Sequence, residues 1–110
     1  MKVKLDVLER ITMIGLLPSE ENYLTYKMIT TLKMELSFSP AEWKKCGMSS
    51  LPDGRTQWTD GRPVKVVEVP DVIMDMIKAK LESLEAKKKI NADNVTLYER
   101  FILDKVLTKK

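Results

Sequence analysis

Thr56-Gln57-Trp58-Thr59-Asp60-Gly61-Arg62-Pro63-Val64-Lys65-Val66-Val67-Glu68-Val69 is the stretch on which the fold class of this chain turns. Two strand-like runs flank an Asp-Gly pair. A primed two-residue turn needs positive φ at both central positions, and Asp-Gly adopts that geometry with little strain. The expectation is an antiparallel hairpin turning at Asp60-Gly61, with Pro63 on an edge where its missing N–H is harmless. Upstream, Ser49-Ser50-Leu51-Pro52-Asp53-Gly54 is rich in turn formers and reads as the approach to that hairpin.

Working outward, helices lie on both sides. Ser39 is an N-cap, Pro40 suits the first helical position, and Glu42 completes a capping box, with Phe38 and Trp43 spaced as a hydrophobic staple. This helix ends at Gly47. Before it, Leu24, Met28, Leu32 and Leu36 recur in steps of four with Ile29 beside them, which predicts a second helix capped by Ser19. Met1 to Val7 alternates polar and apolar residues as a strand does. From Leu5 the spacing becomes helical, to a stop at Gly15. Beyond the hairpin, Pro70 closes the strand and Asp71 caps a long helix with Ile73, Met76, Ile77, Leu81 and Leu84 on one face and Lys87-Lys88-Lys89 in its last turns. Asn91 is placed to cap a final helix carrying Val95, Tyr98, Phe101, Ile102 and Val106. The predicted fold is α+β and mainly helical, with about five helices and a small antiparallel hairpin or three-stranded sheet in the middle of one domain, 1–110.

Composition restricts the chemistry. In 110 residues there is no histidine, one cysteine (Cys46), and no glycine-rich phosphate loop among four glycines. Hydrolysis, group transfer and structural zinc mostly require an imidazole that titrates near pH 7, a set of thiolates or a backbone nest for phosphate. The chain therefore reads as non-enzymatic, with no cofactor. A lone Cys46 without a neighbouring base reads as a packing residue. Asp71 and Asp75 stand one helical turn apart and, with Asp53 or Asp60, are the only foothold for a hard cation, but no calcium-loop pattern surrounds them, so no metal site is assigned. Most of the seven methionines fall in helical stripes as core filler. Apolar runs are far shorter than the roughly 20 residues of a membrane-spanning helix, and no secretion signal is visible, so a cytoplasmic protein without membrane contact is expected.

Two surfaces are candidates for binding. Arg55, Trp58, Arg62 and Lys65 on the hairpin combine an aromatic group with cations, the composition favoured at protein interfaces. Trp58 has a second use, facing inward to cover the helices, and a short strand does not decide between them. The alternative is a winged-helix-like nucleic-acid binder, in which Lys44, Lys45, Arg55, Arg62 and Lys65 meet phosphates and the hairpin is the wing. The net charge of +3 permits that role without requiring it. Ser39-Pro40-Ala41-Glu42-Trp43 suits the first helix of such a pair. Yet the sequence then runs into a strand where the reading helix should be, and the third helix itself offers only Lys44 and Lys45. Lys87 to Lys89 and Lys109-Lys110 read as solvated ends.

The opening Met1-Lys2-Val3-Lys4-Leu5-Asp6-Val7-Leu8-Glu9-Arg10-Ile11, then Gly15-Leu16-Leu17-Pro18, and the closing Leu97-Tyr98-Glu99-Arg100-Phe101 resemble small proteins encoded by tailed bacteriophages and prophages. The resemblance covers about half of the chain and carries no catalytic motif. It implies a viral accessory protein in the host cytoplasm that binds a host or virion protein. The broad apolar face of the last two helices, from Ile73 to Val106, adds the expectation of a homodimer through that face.

Overall fold

β1 (Lys2–Leu5) is an alternating strand whose partner lies far along the chain. In the computed structural model, which describes residues 1–103, it pairs antiparallel with β4 (Lys65–Glu68), with Lys2 opposite Glu68, Val3 opposite Val67, Lys4 opposite Val66 and Leu5 opposite Lys65. Opposed residues share a face, so Val3, Leu5 and Val67 point into the core while Lys2, Lys4, Val66 and Glu68 stay exposed.

The Asp60-Gly61 hairpin is not formed. β3 (Thr56–Gln57) turns back instead on β2 (Ser49–Ser50), across the Leu51–Arg55 loop, so the sheets are two separate antiparallel pairs and not one three-stranded sheet. The reason lies in the hydrogen bonds of residues 59–62. The N–H groups of Thr59 and Asp60 both donate to the Cys46 carbonyl, Arg62 N–H donates to Asp60 Oδ1, and the Gly61 carbonyl accepts from Val7 at the start of α1. The segment is tied to its neighbours in space and has no strand edge left for β4.

The helices are α1 (Val7–Leu16), α2 (Tyr23–Leu36), α3 (Pro40–Lys45), α4 (Asp71–Ala86) and α5 (Val95–Tyr98), the last running into a π-helical turn, Glu99–Leu103. The mainly helical α+β architecture is thus present, with several starts and stops displaced. α1 continues to Leu16, leaving Gly15 inside the helix, and begins with a capping box between Asp6 and Glu9. α2 starts later than Ser19 predicts, because Asn22 Oδ1 accepts from Thr25 N–H and does the capping. Steps of four drift around a helix of 3.6 residues per turn. Ile29, Leu32 and Leu36 are therefore buried while Leu24 is 73% exposed. The Ser39 capping box, with Pro40 and Glu42, starts α3 as predicted. At α4, Pro70 takes the cap position and Asp71 is the first helical residue, where its charge still meets the positive end of the helix. Lys87 to Lys89 follow the helix: Lys88 is left-handed at φ 58°, and Lys89 N–H closes on the Leu84 carbonyl. Asn91 caps the turn before α5, accepting from the N–H groups of Asp93 and Asn94, and Asn94 occupies the formal cap.

The main core joins Val3, Leu5 and Val67 of the sheet to Ile29, Leu32 and Leu36 of α2, to Ile73, Ile77 and Leu81 of α4, and to Leu97 and Phe101. Met76, Leu84, Tyr98 and Ile102 pack against it half-buried. Among the described residues, the C-terminal apolar face expected to seek a second copy packs within the chain, with α1 and α2 lying against α4. Val106, also named for that face, and Lys109-Lys110 lie outside the described residues.

One side chain joins three helices. Arg10, on α1, is 2% exposed. Its Nε donates to the Leu36 carbonyl at 3.1 Å and its Nη2 to the Ser37 carbonyl at 2.6 Å, satisfying carbonyls that the end of α2 leaves open. Nη1 bonds Glu42 Oε2 of α3 at 2.9 Å, and the guanidinium stacks 3.8 Å from the Phe38 ring centre. Lys65 adds a second cation to the same helix end, its Nζ 2.8 Å from the Glu35 carbonyl. Glu9 is buried beside Arg10 and accepts from Arg100 at 2.9 Å, which ties the C-terminal turn to α1.

The Arg10 hydrogen bond, helped by the Ser39 N–H, holds the Glu42 carboxyl down from 4.5 to about 2. A carboxylate with a depressed folded-state pKa contributes stability that is fully present above its unfolded value and is lost as pH falls through the folded one. The chain should therefore lose about 1–2 kcal/mol between pH 5 and pH 2 through this group, an amount already reduced for solvent screening of a side chain that is 33% exposed. Urea titrations across that range should show the loss in the native protein and its absence in Glu42→Gln.

Candidate functional site

Trp58 resolves inward. It is half-buried against a second, smaller core made by Val7, Cys46 and Met48, with Ile11 and Phe38 at its edge. Cys46 is buried in that cluster, the environment of a packing residue. Gly61 permits this position of the ring, because a Cβ there would stand 2.7 Å from the indole Nε1. The exposed edge of Trp58 forms part of a cleft of about 590 Å³ between α1, the β2–β3 hairpin and the turn before α5. Leu8, Ile11 and Gly15 of α1 make its apolar side; Arg55 stands at the hairpin end and Asn91 and Asp93 at the other.

The predicted residues divide between two places. Arg55 and Trp58 share the cleft; Arg62 and Lys65 lie elsewhere. Arg55 uses only Nε on Asp53, 2.7 Å away in the same exposed loop, and its two Nη groups make no bond among the described residues. Arg62 is 92% exposed and is bound by Asp60 at 3.0 Å, a contact that lowers the Asp60 pKa and raises that of Arg62. Lys65 is held on the end of α2. Lys44 and Lys45 are exposed on α3 and make no ion pair among the described residues, whereas Arg55 in the β2–β3 loop and Arg62 beyond it each carry a carboxylate partner. α3 itself has six residues, less than two turns.

Asp71 and Asp75 are both exposed, and among the described residues no group of three or more potential metal-ligating side chains gathers anywhere. No described helix is long and apolar enough to cross a membrane. Comparison of the chain with known protein families, characterised proteins and solved structures finds no match.

The α1 wall of the cleft is not among the residues expected from the sequence. The expected stop at Gly15 lies inside α1, and Leu16 and Leu17, which continue the apolar pattern up to Pro18, are the signal for it. Its position matters for the site. Glycine in a helix is less stable than alanine by up to about 1 kcal/mol, and no atom lies within 4 Å of where a Cβ would stand. Packing within the chain gives no reason for the missing side chain. The space in front of it opens into the Trp58 cleft on one side and, on the other, into a depression bounded by Pro18, Met76 and Lys80.

Proposed function

We propose that this protein is a non-catalytic binding protein of phage type whose partner is a host or virion protein, and that a segment of the partner docks in the Trp58 cleft. The open space at Gly15 carries the reading. A helix surface kept free of a side chain, facing an indole edge, is an arrangement that admits a ligand group close to the backbone. Leu8, Ile11 and Trp58 offer apolar contact, and the Nη groups of Arg55, which make no bond among the described residues, offer paired donors to a carboxylate. The fitting segment is apolar with an acidic residue close to its anchor.

Gly15→Gln tests this with little risk to the fold, since glutamine is a better helix former and a Cβ at this position has open space around it. Selection of a random peptide library on the native protein should enrich a bulky apolar residue beside Asp or Glu. An enriched peptide should bind Gly15→Gln at least about tenfold more weakly, while the melting temperature is unchanged or higher. Failure to enrich any motif, or equal binding to the variant, overturns the reading. The nucleic-acid alternative draws on the order α2, α3, hairpin and on exposed Lys44 and Lys45. It requires duplex affinity that falls steeply with salt, and a titration that finds none at low ionic strength removes it.

A further inference from the structure

The three most exposed large apolar side chains among the described residues lie on α2. Tyr23 and Leu24 are each 73% exposed and Met34 72%, on a helix whose inner side is fully packed. Between them runs the row Lys27, Thr31, Glu35, spaced four apart, which forms one ridge of the helix. All three are exposed, and neither Lys27 nor Glu35 makes an ion pair among the described residues. The hydroxyls of Thr30 and Thr31 are turned back onto the Tyr26 and Lys27 carbonyls, so the row makes little demand on water at its centre. Alongside lies a shallow apolar groove of about 450 Å³, bordered by Met28, Thr31, Glu68 and Pro70.

We infer that α2 is the seam of a two-fold dimer, with a second copy of this chain as the occupant of that groove. The ridge is self-complementary. Turned end for end about Thr31, it brings Lys27 beside Glu35 of the second copy and Glu35 beside Lys27 of the second copy. A single surface patch must match itself in this way to make a closed two-fold contact. Met28 and Met34 stand symmetrically about Thr31, three residues to either side, and fill the seam above and below the ion pairs. Packing along i±4 ridges crosses the two helices at about −50°, leaving Tyr23 and Leu24 at the rim. A partner of uniform charge meets only half of this pattern favourably. Pairing through the free edge of β1 is discouraged by its exposed lysines, Lys2 and Lys4. The inference is separate from the Trp58 cleft, which lies on other elements.

Sedimentation equilibrium from about 5 µM to about 1 mM should give a two-chain mass at the upper end. Lys27→Glu sets carboxylate against carboxylate at both ends of the seam, and Glu35→Lys sets ammonium against ammonium; each should weaken self-association at least about tenfold. Both positions are exposed, so circular dichroism should remain native. The double variant, which exchanges the charges, should dimerise again. An equimolar mixture of the two single variants should also associate, because each then meets its opposite. A native protein that stays a monomer to 1 mM, or a dimer indifferent to both reversals, overturns the inference.

Discussion

Replacing Arg10 by methionine is expected to destabilise the protein by about 3–5 kcal/mol, a large part of the whole stability of a domain this size. The volume is roughly kept, so packing loss is not the main term. What disappears is the partner of one buried acceptor, one part-buried acceptor and an anion. The Leu36 and Ser37 carbonyls lose donors at 3.1 and 2.6 Å, and Glu42 keeps its charge without its counter-ion. Lysine should recover little. A single ammonium cannot reach two backbone carbonyls and a carboxylate with the planar fork that guanidinium provides. Urea denaturation of the two variants, with Glu42→Gln and the Arg10→Met/Glu42→Gln double variant completing a cycle, measures the charged pair apart from the carbonyls. A loss under about 1 kcal/mol in Arg10→Met would show that the buried guanidinium is not what joins α1, α2 and α3.

Gly47→Ala should be the second severe change, at about 2–4 kcal/mol. Gly47 has φ 65°, in the left-handed region, where a side chain alone costs about 1 kcal/mol. The new methyl would also stand 2.0 Å from Thr59 Oγ1, an overlap that nothing short of movement relieves. Thr59 cannot move freely, because its N–H and hydroxyl both bond the Cys46 carbonyl, at 3.0 and 3.2 Å. The damage should thus spread to the small core under Trp58 and appear as a red-shifted, weaker indole emission. Adding Thr59→Ala removes the hydroxyl in the way and should return about half of the lost stability, leaving the backbone strain. A double variant no better than Gly47→Ala alone would rule out the overlap with Thr59 as the cause.

The start of α3, the apolar stripe of α4 and the α+β class were legible in the sequence because each depends on groups within a turn or two of one another. Ser39, Pro40 and Glu42 satisfy the same backbone donors in any surroundings, and Ile73, Ile77 and Leu81 make a stripe before anything packs on it. The strand character of Lys65–Glu68 was legible for the same reason. Its partner was not. A strand edge offers the same donors and acceptors to every other edge, and Lys2–Leu5 alternates as well as Thr56–Gln57 does. The choice fell to tertiary structure: residues 59–62 are held by Cys46 and Val7, while β1 brings Val3 and Leu5 into the core beside Val67. The same holds for Arg10 and Trp58. Nothing within a turn or two of Arg10 shows that the end of α2 will present it with open carbonyls. Trp58 has two faces available until the cluster around Val7 and Cys46 takes one. Local hydrogen bonding and periodicity are carried by the chain itself, whereas the occupant of a strand edge, a helix end or a ring face is decided by what the fold brings to it.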